Sequence, residues 1–480
     1  MAERLTPDLC IIGAGSGGLS VAAVAAALGV PVVLIEKGKM GGDCLNTGCV
    51  PSKALLAAGK RAEAFRSSAA FGIKPQRPGI EFYQVNDHVH GVIAAIAPND
   101  SKERFTGLGV RVIEGEATFT DARTVAVGDR FEIKARRFVI ATGSVPSVPP
   151  ILGLDQTPYL TNETVFEARE RPKHLIVIGG GPVGLELAQA FRRLGSDVTV
   201  LEAAQPLANE DPECAAVVLD QLTREGVVIR SGVKIARVAR VRNRIEVALE
   251  VAGEGEKKSL EVVGGSDLLV AAGRRPMLEG LDVDAAGIKY DHSGIVVDKR
   301  LRTTNKRVYA IGDVAGSVQF THAANYHAGL VIRHALFRMP VKVDVDAIPR
   351  VTFTDPELAH IGLSENQARQ RIKTIRVLRW PYRENDRAQA EHMTFGHIKV
   401  VTDKKGRILG ATIVGAAAGE LITAWTLAIS QRLNIRAFAG IVVPYPTLSE
   451  IGKRAAISFF TPRLSSPWVR RILGWLRRLG

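Results

Sequence analysis

The sequence predicts an α/β fold with two Rossmann-like domains, and the observations that predict it are the length and an internal repeat. The 480 residues correspond to about three domains of ~150 residues each. Residues 11–36 and 177–202 share one pattern, in which an apolar run leads into a glycine-rich turn, a helical stretch and a second apolar run. Strands that alternate with helices are typical of a parallel sheet covered by helices.

Each repeat contains the pattern G-x-G-x-x-G, and an acidic residue ends its second apolar run. The glycines are Gly13, Gly15 and Gly18 in the first repeat and Gly179, Gly181 and Gly184 in the second. The acids are Glu36 and Glu202. Glycines at this spacing let a pyrophosphate approach the backbone at the start of the helix, and the acid accepts hydrogen bonds from a ribose. Two matched copies predict two dinucleotide sites, with electrons passing between two cofactors.

The second repeat favours NADH over NADPH. The carboxylate of Glu202 would repel a 2′-phosphate, and residues 203–209 contain no Arg or Lys that could bind one. We therefore expect NADH to bind at the second glycine motif, and NADPH to be the poorer electron donor.

Two of the four cysteines, Cys44 and Cys49, lie in a glycine-rich segment directly after the first repeat. The segment leads into a predicted helix over residues 52–71. Lys53 places a cation near the thiols, and a cation lowers the pKa of a thiol and so favours the nucleophilic thiolate. An arbitrary pair of cysteines is more often simply buried in the core. Here the flanking glycines would let the planar ring of a cofactor approach the backbone beside the thiols. The pair is therefore a candidate redox centre.

At these residues the sequence resembles the flavin-dependent pyridine nucleotide-disulfide oxidoreductases, which include dihydrolipoamide dehydrogenase, glutathione reductase and mercuric reductase. The resemblance extends through nearly the whole chain. Besides the cysteine segment it rests on four short motifs in the family's order, which are Ala141–Gly143, Ala272–Pro276, Tyr309–Val314 and Pro446–Glu450.

The resemblance implies two sets of cofactor-binding residues. Those that would hold FAD are Gly13, Gly15, Gly18, Glu36, Lys53, Gly115, Thr142, Gly143 and Asp313. Those that would hold NADH are Gly179, Gly181, Gly184, Glu202 and Gly273.

The resemblance also implies the catalytic roles. Lys53 would lie beside the flavin and pair with Glu186. Electrons would pass from NADH through FAD to a disulfide between Cys44 and Cys49, and from there to an acceptor. Cys49 would form the thiolate that gives a charge-transfer band with the flavin, and Cys44 would be the exposed thiol that exchanges with the substrate.

The family's domain order implies a discontinuous FAD-binding domain over residues 1–147 and 275–343. An NAD(P)H-binding domain over 148–274 and an α+β dimerisation (interface) domain over 344–466 complete the body. The interface motif of this family completes the active site of the partner subunit, so a homodimer is implied. Tyr445 and Glu450 would then face Cys44 of the partner subunit, and the Tyr445–Pro446 bond is a candidate cis peptide.

The sequence departs from the family at Tyr445. Members that act on small disulfides or dithiols carry a histidine there, which a glutamate at the position of Glu450 orients as an acid-base group. A phenol, with an unperturbed pKa of ~10, is a poor proton acceptor near pH 7. Mercuric reductases also carry a tyrosine, but their C-terminal cysteine pair has no counterpart after Cys214. A dihydrolipoamide dehydrogenase-type activity and a mercuric reductase-like activity therefore both stay open.

No metal site is predicted from the remaining histidines and cysteines. His88 and His90 lie two positions apart, and His322 and His327 lie five apart, without Cys or acidic partners at metal-binding spacing. The other two cysteines, Cys10 and Cys214, occupy strand-like and helix-like stretches that are typical of packing.

The net charge of +14 is concentrated at the C-terminus, where seven Lys and Arg residues and no acidic residue follow Glu450. This distribution argues against specific nucleic-acid binding, which would need a broad basic surface. Residues 467–480 form a predicted basic amphipathic helix with Ser466 as N-cap and Pro467 in the first turn. Arginines on one face and Trp and Leu on the other fit an anionic membrane interface. Docking of the tail on the protein or across the dimer is the alternative.

These features predict an FAD-dependent NAD(P)H:disulfide/thiol oxidoreductase with a small-molecule or protein thiol/disulfide substrate. An alternative from another class is a membrane-associated electron-transfer partner or redox sensor with slow turnover. The sequence has few cysteines, no recognisable signal peptide and no run of ~18 apolar residues. We therefore expect a cytoplasmic location, with the basic tail as a peripheral contact to the inner face of the membrane.

Overall fold

The computed structural model describes residues 2–252, 258–316, 318–464 and 466–479. Its first sheet consists of five parallel strands, in the spatial order Val308–Ala310, Arg137–Ile140, Leu9–Ile12, Val32–Glu36 and Arg111–Glu114. The central strand Leu9–Ile12 is buried along its whole length, as expected for a parallel strand covered on both faces. The strand Val308–Ala310 joins this sheet from far along the chain, because it pairs with Arg137–Ile140.

Helices pack on this sheet and carry the cysteine segment. The helix Ser16–Ala27 follows the strand Leu9–Ile12 and packs against the later helix Thr321–Ala335. The remaining helices of this part of the chain are Gly42–Asn46, Cys49–Arg66, Phe82–Ile96 and Lys102–Gly107. A second small sheet contains the strands Glu3–Leu5, Phe131–Ile133, Thr124–Val127 and Ala117–Asp121.

A second parallel sheet is built around the second glycine motif. Its four strands lie in the order Val227–Ser231, Asp197–Glu202, His174–Ile178 and Asp267–Val270. The helices Pro182–Arg193 and Pro212–Arg224 accompany it, and an antiparallel meander adds the strands Lys234–Val241, Arg244–Ala252 and Lys258–Gly265. The chain passes between the two parallel sheets through the paired strands Ser144–Pro146 and Arg274–Pro276. A two-stranded sheet of Tyr290–Asp291 and Gly294–Ile295 follows.

The last large unit is an antiparallel sheet with helices. Its strands lie in the order Arg350–Thr352, Glu357–Gly362, Ile408–Gly415, His397–Asp403 and Ile375–Pro381. Its helices are Glu365–Arg371, Asp386–Ala390, Ala418–Ser430, Arg436–Gly440, Glu450–Ser458 and Thr461–Leu464. The stacked rings of Trp425 and Phe438 lie in its core. Two Rossmann-like sheets and an α+β unit thus confirm the predicted fold class.

The chain ends in the helix Pro467–Leu476, which has Ser466 at its N-cap and Pro467 in its first turn. No residue of this helix is buried. No helix in the described ranges is long and apolar enough to span a bilayer. Five parts of predicted segments lie outside the described residues: Met1 and Ser317 of the predicted FAD-binding domain, residues 253–257 of the predicted NAD(P)H-binding domain, Ser465 of the predicted interface domain, and Gly480, the last residue of the predicted tail.

Candidate active site

The first glycine motif forms a turn in which the first and third positions can be occupied only by glycine. Gly13 has a φ of +104°, and a Cβ there would lie 2.4 Å from the carbonyl oxygen of Ala141. A Cβ on Gly18 would lie 1.9 Å from the carbonyl oxygen of Gly13, so the helix start packs directly on the turn. Gly15, in contrast, faces open space, which is where a pyrophosphate would need room.

The second glycine motif repeats this geometry. Gly179 has a φ of +116°, and its Cβ would lie 2.3 Å from the carbonyl oxygen of Ala271. A Cβ on Gly184 would lie 2.1 Å from the carbonyl oxygen of Gly179, and Gly181 faces open space. The sequence repeat is therefore a structural repeat: the first and third glycines of each motif relieve the same backbone contacts, and both middle glycines face open space.

The two acids that end the second strands hold the glycine turns. Oε2 of Glu36 accepts a hydrogen bond from the backbone N–H of Ala14 at 2.6 Å. Oε2 of Glu202 accepts one from the N–H of Gly180, also at 2.6 Å. The other oxygen of each acid accepts from an N–H two residues further on. Each acid thus shapes its own turn, a structural role that the sequence pattern did not reveal.

One cavity of about 940 Å³ joins the first glycine motif to the cysteine segment, and its volume is at the upper end of the range for small-molecule sites. The predicted site residues that line it are Gly13, Gly15, Glu36, Cys44, Cys49, Lys53, Gly115, Thr142, Gly143, Glu186 and Asp313. Gly18, Glu202, Gly273 and the glycines of the second motif do not line it, but the helix start after that motif does, through Pro182 and Val183.

Part of the cavity wall is a hydrogen-bonded network. The Ser144 hydroxyl donates to Oδ2 of Asp313 at 2.5 Å, and Nε of Arg274 donates to the Ser144 hydroxyl at 2.7 Å. Burial raises the pKa of the Asp313 carboxyl, although the Ser144 hydrogen bond opposes that shift. Thr142 donates to the carbonyl of Met277 at 2.7 Å. The volume, the open space at Gly15 and this polar wall fit an elongated dinucleotide such as FAD.

The helix of the cysteine segment does not have the predicted bounds of 52–71. It begins at Cys49 and ends at Arg66. Pro51 lies in its first turn, where a missing N–H costs no hydrogen bond. The predicted helix starts three residues too late and ends five residues too late. A thiol at a helix N-terminus lies at the positive end of the helix dipole, which favours its thiolate.

The two thiols have different environments. The pKa of Cys49 is lowered to about 6, because the Cys44 thiol, the Thr321 hydroxyl and the charge of Lys53 stabilise its thiolate against burial. Hydrogen bonding to Cys49 and burial raise the pKa of Cys44. Sγ of Cys49 lies 3.5 Å from the Thr321 hydroxyl oxygen. Thr321 starts a helix far along the chain, and no pattern in the sequence pointed to it.

The two thiols also differ in exposure. In this subunit Cys44 is half-buried and Cys49 is exposed to the cavity, and the assignment of Cys44 as the thiol that exchanges with the substrate stays a prediction. Cys44 belongs to the short helix Gly42–Asn46 that packs on the next helix, whereas Cys49 starts that next helix. Both are free thiols in this structure.

Lys53 and Glu186 form the ion pair that the sequence predicts. Nζ of Lys53 donates to Oε2 of Glu186 at 2.9 Å, and Oε1 of Glu186 accepts from the N–H of Phe353 at 2.9 Å. The ammonium also lies 4.3 Å from the centroid of the Phe353 ring, within the range of a cation–π contact. Two distant segments, those of Glu186 and Phe353, therefore fix the lysine one turn beyond Cys49.

Asp43 ties the cysteine segment to its surroundings. Its carboxylate accepts from the Thr47 hydroxyl at 2.7 Å and from the Asn162 side chain at 3.2 Å. Its second oxygen lies 3.2 Å from Nη2 of Arg274. Arg274 follows Gly273 directly, so the return from the second sheet is anchored beside the cysteines. The sequence showed Asp43 between the cysteine-flanking glycines but gave no sign of its partners.

Tyr445 and Glu450 lie apart from this cavity. The Tyr445–Pro446 bond is cis, which confirms the expectation. Tyr445 is 71% exposed, and its hydroxyl donates to Oδ2 of Asp386 at 2.8 Å. That bond raises the pKa of the phenol, and the charge of Glu450 adds to the shift. The hydroxyl partner in this subunit is thus Asp386, a residue that the sequence analysis missed.

The remaining cysteines and histidines lie in packed or surface positions. Burial raises the pKa values of Cys10 and Cys214. His327 is buried, and burial lowers its pKa to about 4. His322 lines the cavity and lies 2.6 Å, through Nε2, from the carbonyl oxygen of Pro349.

Comparison with known protein families gives two matches. Residues 7–328 match the pyridine nucleotide-disulphide oxidoreductase family, and residues 348–456 match the dimerisation domain of the same name.

Curated relatives include two named activities. A mercuric reductase from Bacillus cereus is 35% identical over 455 residues, which cover 94% of this chain and 71% of that protein. A dihydrolipoyl dehydrogenase from Geobacillus stearothermophilus is 35% identical over 462 residues, which cover 95% of this chain and 97% of that protein.

Solved structures of one protein superpose closely on this chain. The HOCl-induced flavoprotein disulfide reductase RclA from Escherichia coli has a TM-score of 0.83 at 29% identity, covering 94% of this chain and 99% of its own. A Cu(II) complex of the same protein has a TM-score of 0.82 at 28% identity, covering 93% and 98%. The chain belongs to the pyridine nucleotide-disulphide oxidoreductases, flavoenzymes that use FAD and NAD(P)H, and it carries the dimerisation domain of that family.

Proposed function

We propose that this chain is an NADH-dependent reductase in which the Cys44–Cys49 pair passes electrons to a thiophilic metal ion. The observation that carries the proposal is the single cavity that holds the first glycine motif, both cysteines and the Lys53–Glu186 pair. The chemistry that FAD supplies when bound is two-electron transfer between a nicotinamide and a disulfide.

The residues of the chain divide this work. Gly13, Gly15, Gly18 and Glu36 shape the pyrophosphate and ribose site for FAD. The second motif, through Gly179, Gly181, Gly184 and Glu202, does the same for NADH, with Gly273 beside it. Gly115, Thr142, Gly143 and Asp313 bind the rest of FAD. We assign these groups to an FAD-binding domain over 1–147 and 275–343 and an NADH-binding domain over 148–274.

The lowered pKa of Cys49 and the ion pair of Lys53 support the proposed catalytic roles. Lys53, held by Glu186, supplies a positive charge beside the cysteines. Cys49, whose pKa is lowered to about 6, is the thiolate next to the cofactor, and Cys44 exchanges with the acceptor. Opening the Cys44–Cys49 disulfide takes two electrons and one proton from NADH and one further proton from solvent, and yields two thiols and NAD⁺.

The character of Tyr445 favours a metal ion as acceptor. Exchange with a small disulfide needs a group that gives or takes a proton near pH 7, and the hydrogen bond to Asp386 moves the pKa of the Tyr445 phenol further from that range. A soft cation needs no such group, because two thiolates bind it after releasing their protons. The two electrons of one NADH reduce one Hg(II) or two Cu(II) ions. The named mercuric reductases and the Cu(II) complex of a structural relative support this class.

We propose that the interface unit, residues 344–466, forms a homodimer in which Tyr445 and Glu450 face Cys44 of the partner subunit. We further propose that residues 467–480 lie on an anionic membrane surface at the inner face of the membrane. Trp468 and Trp475 are 69% and 61% exposed, so the apolar side of this helix is not covered by its own subunit.

The decisive experiment measures NADH oxidation by the purified holoenzyme with Hg(II), Cu(II), lipoamide, glutathione disulfide and quinones. We expect turnover with the metal ions and its loss in the C44S and C49S variants. Faster turnover with lipoamide would instead indicate a dihydrolipoamide dehydrogenase-type activity. Multiple-turnover oxidation with none of these acceptors would favour the electron-transfer or sensor role and would contradict the proposal.

A further inference from the structure

The exposed phenol of Tyr445 is held by an acidic residue from a different segment. Its hydroxyl donates to Oδ2 of Asp386 at 2.8 Å, and Asp386 begins the helix Asp386–Ala390. The neighbouring Asn385 is buried, and its side chain accepts from the N–H of Ala388 and donates to the carbonyl of Thr447 at 3.0 Å. Two adjacent residues thus bind both the tyrosine side chain and the loop that carries it.

Among the described residues, no Lys or Arg forms a salt bridge with the carboxylate of Asp386, and the nearby Arg387 pairs with Glu391 instead. Asp386 is exposed, so the position beside the Tyr445 hydroxyl carries a negative charge. A fixed charge of this kind acts on charged reactants that approach within a Debye length, and salt weakens the effect.

We propose that Asp386 determines which acceptors react with the Cys44–Cys49 dithiol. It holds the Tyr445 phenol through the hydrogen bond that the phenol donates to it, and its negative charge favours cationic over anionic acceptors. The inference rests on the proposed function, because it takes Tyr445 to face Cys44 of the partner subunit. Asp386 acts through its charge and through Tyr445, so it is a positioning and specificity residue, not a catalytic one. Its charge would increase the rate at which divalent metal cations react with the dithiol, and would decrease that rate for anionic disulfides.

The test uses two thiol reagents of opposite charge. The NADH-reduced holoenzyme is treated with methanethiosulfonates that carry a trimethylammonium or a sulfonate group. A thiolate attacks the reagent's sulfur, a mixed disulfide forms, and methanesulfinate leaves. All variants are made in the C49S background, because the Cys49 thiolate would otherwise displace the reagent's thiol from Cys44 and re-form the Cys44–Cys49 disulfide. The rate of modification of Cys44 is followed by mass spectrometry at low and high salt. This readout does not depend on which acceptor the enzyme turns over.

We expect the D386N variant to lower the ratio of the cationic to the anionic rate by roughly fivefold at low salt, and by less at high salt. The D386E variant should retain the ratio of the wild type. The matched control is E384Q, which removes an exposed carboxylate two residues away that does not bind Tyr445. Y445F should alter both rates together, because it removes the hydroxyl and retains the charge.

An unchanged ratio in D386N, or an equal change in E384Q, would overturn the proposal, because the effect would then be absent or belong to the general surface potential. The proposed function fails by a different result, namely metal-dependent NADH oxidation that survives the C44S substitution. The two failures are therefore distinguishable.

Discussion

The ammonium of Lys53 and the carboxylate of Glu186 lie 2.9 Å apart, and this contact joins the helix that begins at Cys49 to the helix that follows the second glycine motif. The side chain of Glu186 is only 6% exposed, and that of Lys53 is 36% exposed. Such a pair is costly to break from one side, because the other charge loses its partner in a partly dry environment. The ion pair therefore couples the position of the cysteines to that of the nucleotide-binding helix.

We expect E186Q to slow the reduction of the bound flavin by NADH about tenfold, a loss of roughly 1.4 kcal/mol of transition-state stabilisation. The amide cannot hold Lys53 by charge, so the lysine would lose its fixed position. Stopped-flow absorbance measures the rate. The control is E210Q, because Glu210 pairs with Arg350 in a similarly buried site and neither residue lines the cavity of Cys44 and Cys49. Equal slowing in both variants would show that the effect is one of general stability.

C49S should retain FAD but lose the long-wavelength band of the two-electron-reduced enzyme, because serine supplies no thiolate beside the cofactor. C44S should keep the band, since the Cys49 thiolate remains. Absorbance spectra of both variants, titrated anaerobically with NADH, test this assignment. A band that persists in C49S and vanishes in C44S would reverse the roles of the two cysteines.

The pKa of about 6 for Cys49 gives a defined pH dependence. The thiolate is present above that pH and is protonated below it, so the thiolate band should rise as pH increases through about 6. T321V removes the hydroxyl that lies 3.5 Å from Sγ and should move the midpoint upward by roughly 0.5–1 unit. T118V, which removes a hydroxyl bonded to Gly280, should leave it in place. Identical midpoints for T321V and the wild type would remove Thr321 from the thiolate site.

The coenzyme preference tests the role of Glu202. We expect a kcat/KM at least roughly tenfold higher with NADH than with NADPH, because the carboxylate repels a 2′-phosphate. E202Q should reduce this difference mainly by raising kcat/KM with NADPH. The glutamine keeps an oxygen that can accept the hydrogen bond from the N–H of Gly180. Steady-state assays at saturating acceptor measure both ratios. A preference of the wild type for NADPH would contradict the assignment of the second glycine motif to NADH.

The basic tail makes a separate prediction. The full-length protein should co-sediment with vesicles that contain anionic phosphatidylglycerol and much less with phosphatidylcholine vesicles, whereas a chain truncated after Thr461 should stay in the supernatant. Replacing Trp468 and Trp475 by serine should weaken binding while all arginines remain. Equal sedimentation of the full and truncated chains would exclude a membrane contact. A truncated chain that elutes as a monomer would place the tail in the dimer interface instead.

The sequence alone determined the features whose residues are neighbours along the chain. The two glycine motifs, their acids and the cysteine segment are short patterns, and each depends on a local turn that only certain residue types can form. The fold class followed because strands and helices alternate in a fixed order around those turns. The amphipathic tail was readable for the same reason, since its two faces arise from helical spacing.

The tertiary structure decided the contacts between segments that are distant in the chain. Three such contacts depend on how separate sheets and helices are packed: Thr321 with Cys49, Arg274 with Asp43, and Asp386 with Tyr445. No local pattern encodes those packing angles, so the sequence could not reveal the hydroxyl beside the thiolate or the carboxylate that holds the phenol. The local patterns identified the cofactor sites and the redox cysteines, and the packing of distant segments set the charges and hydrogen bonds that tune them.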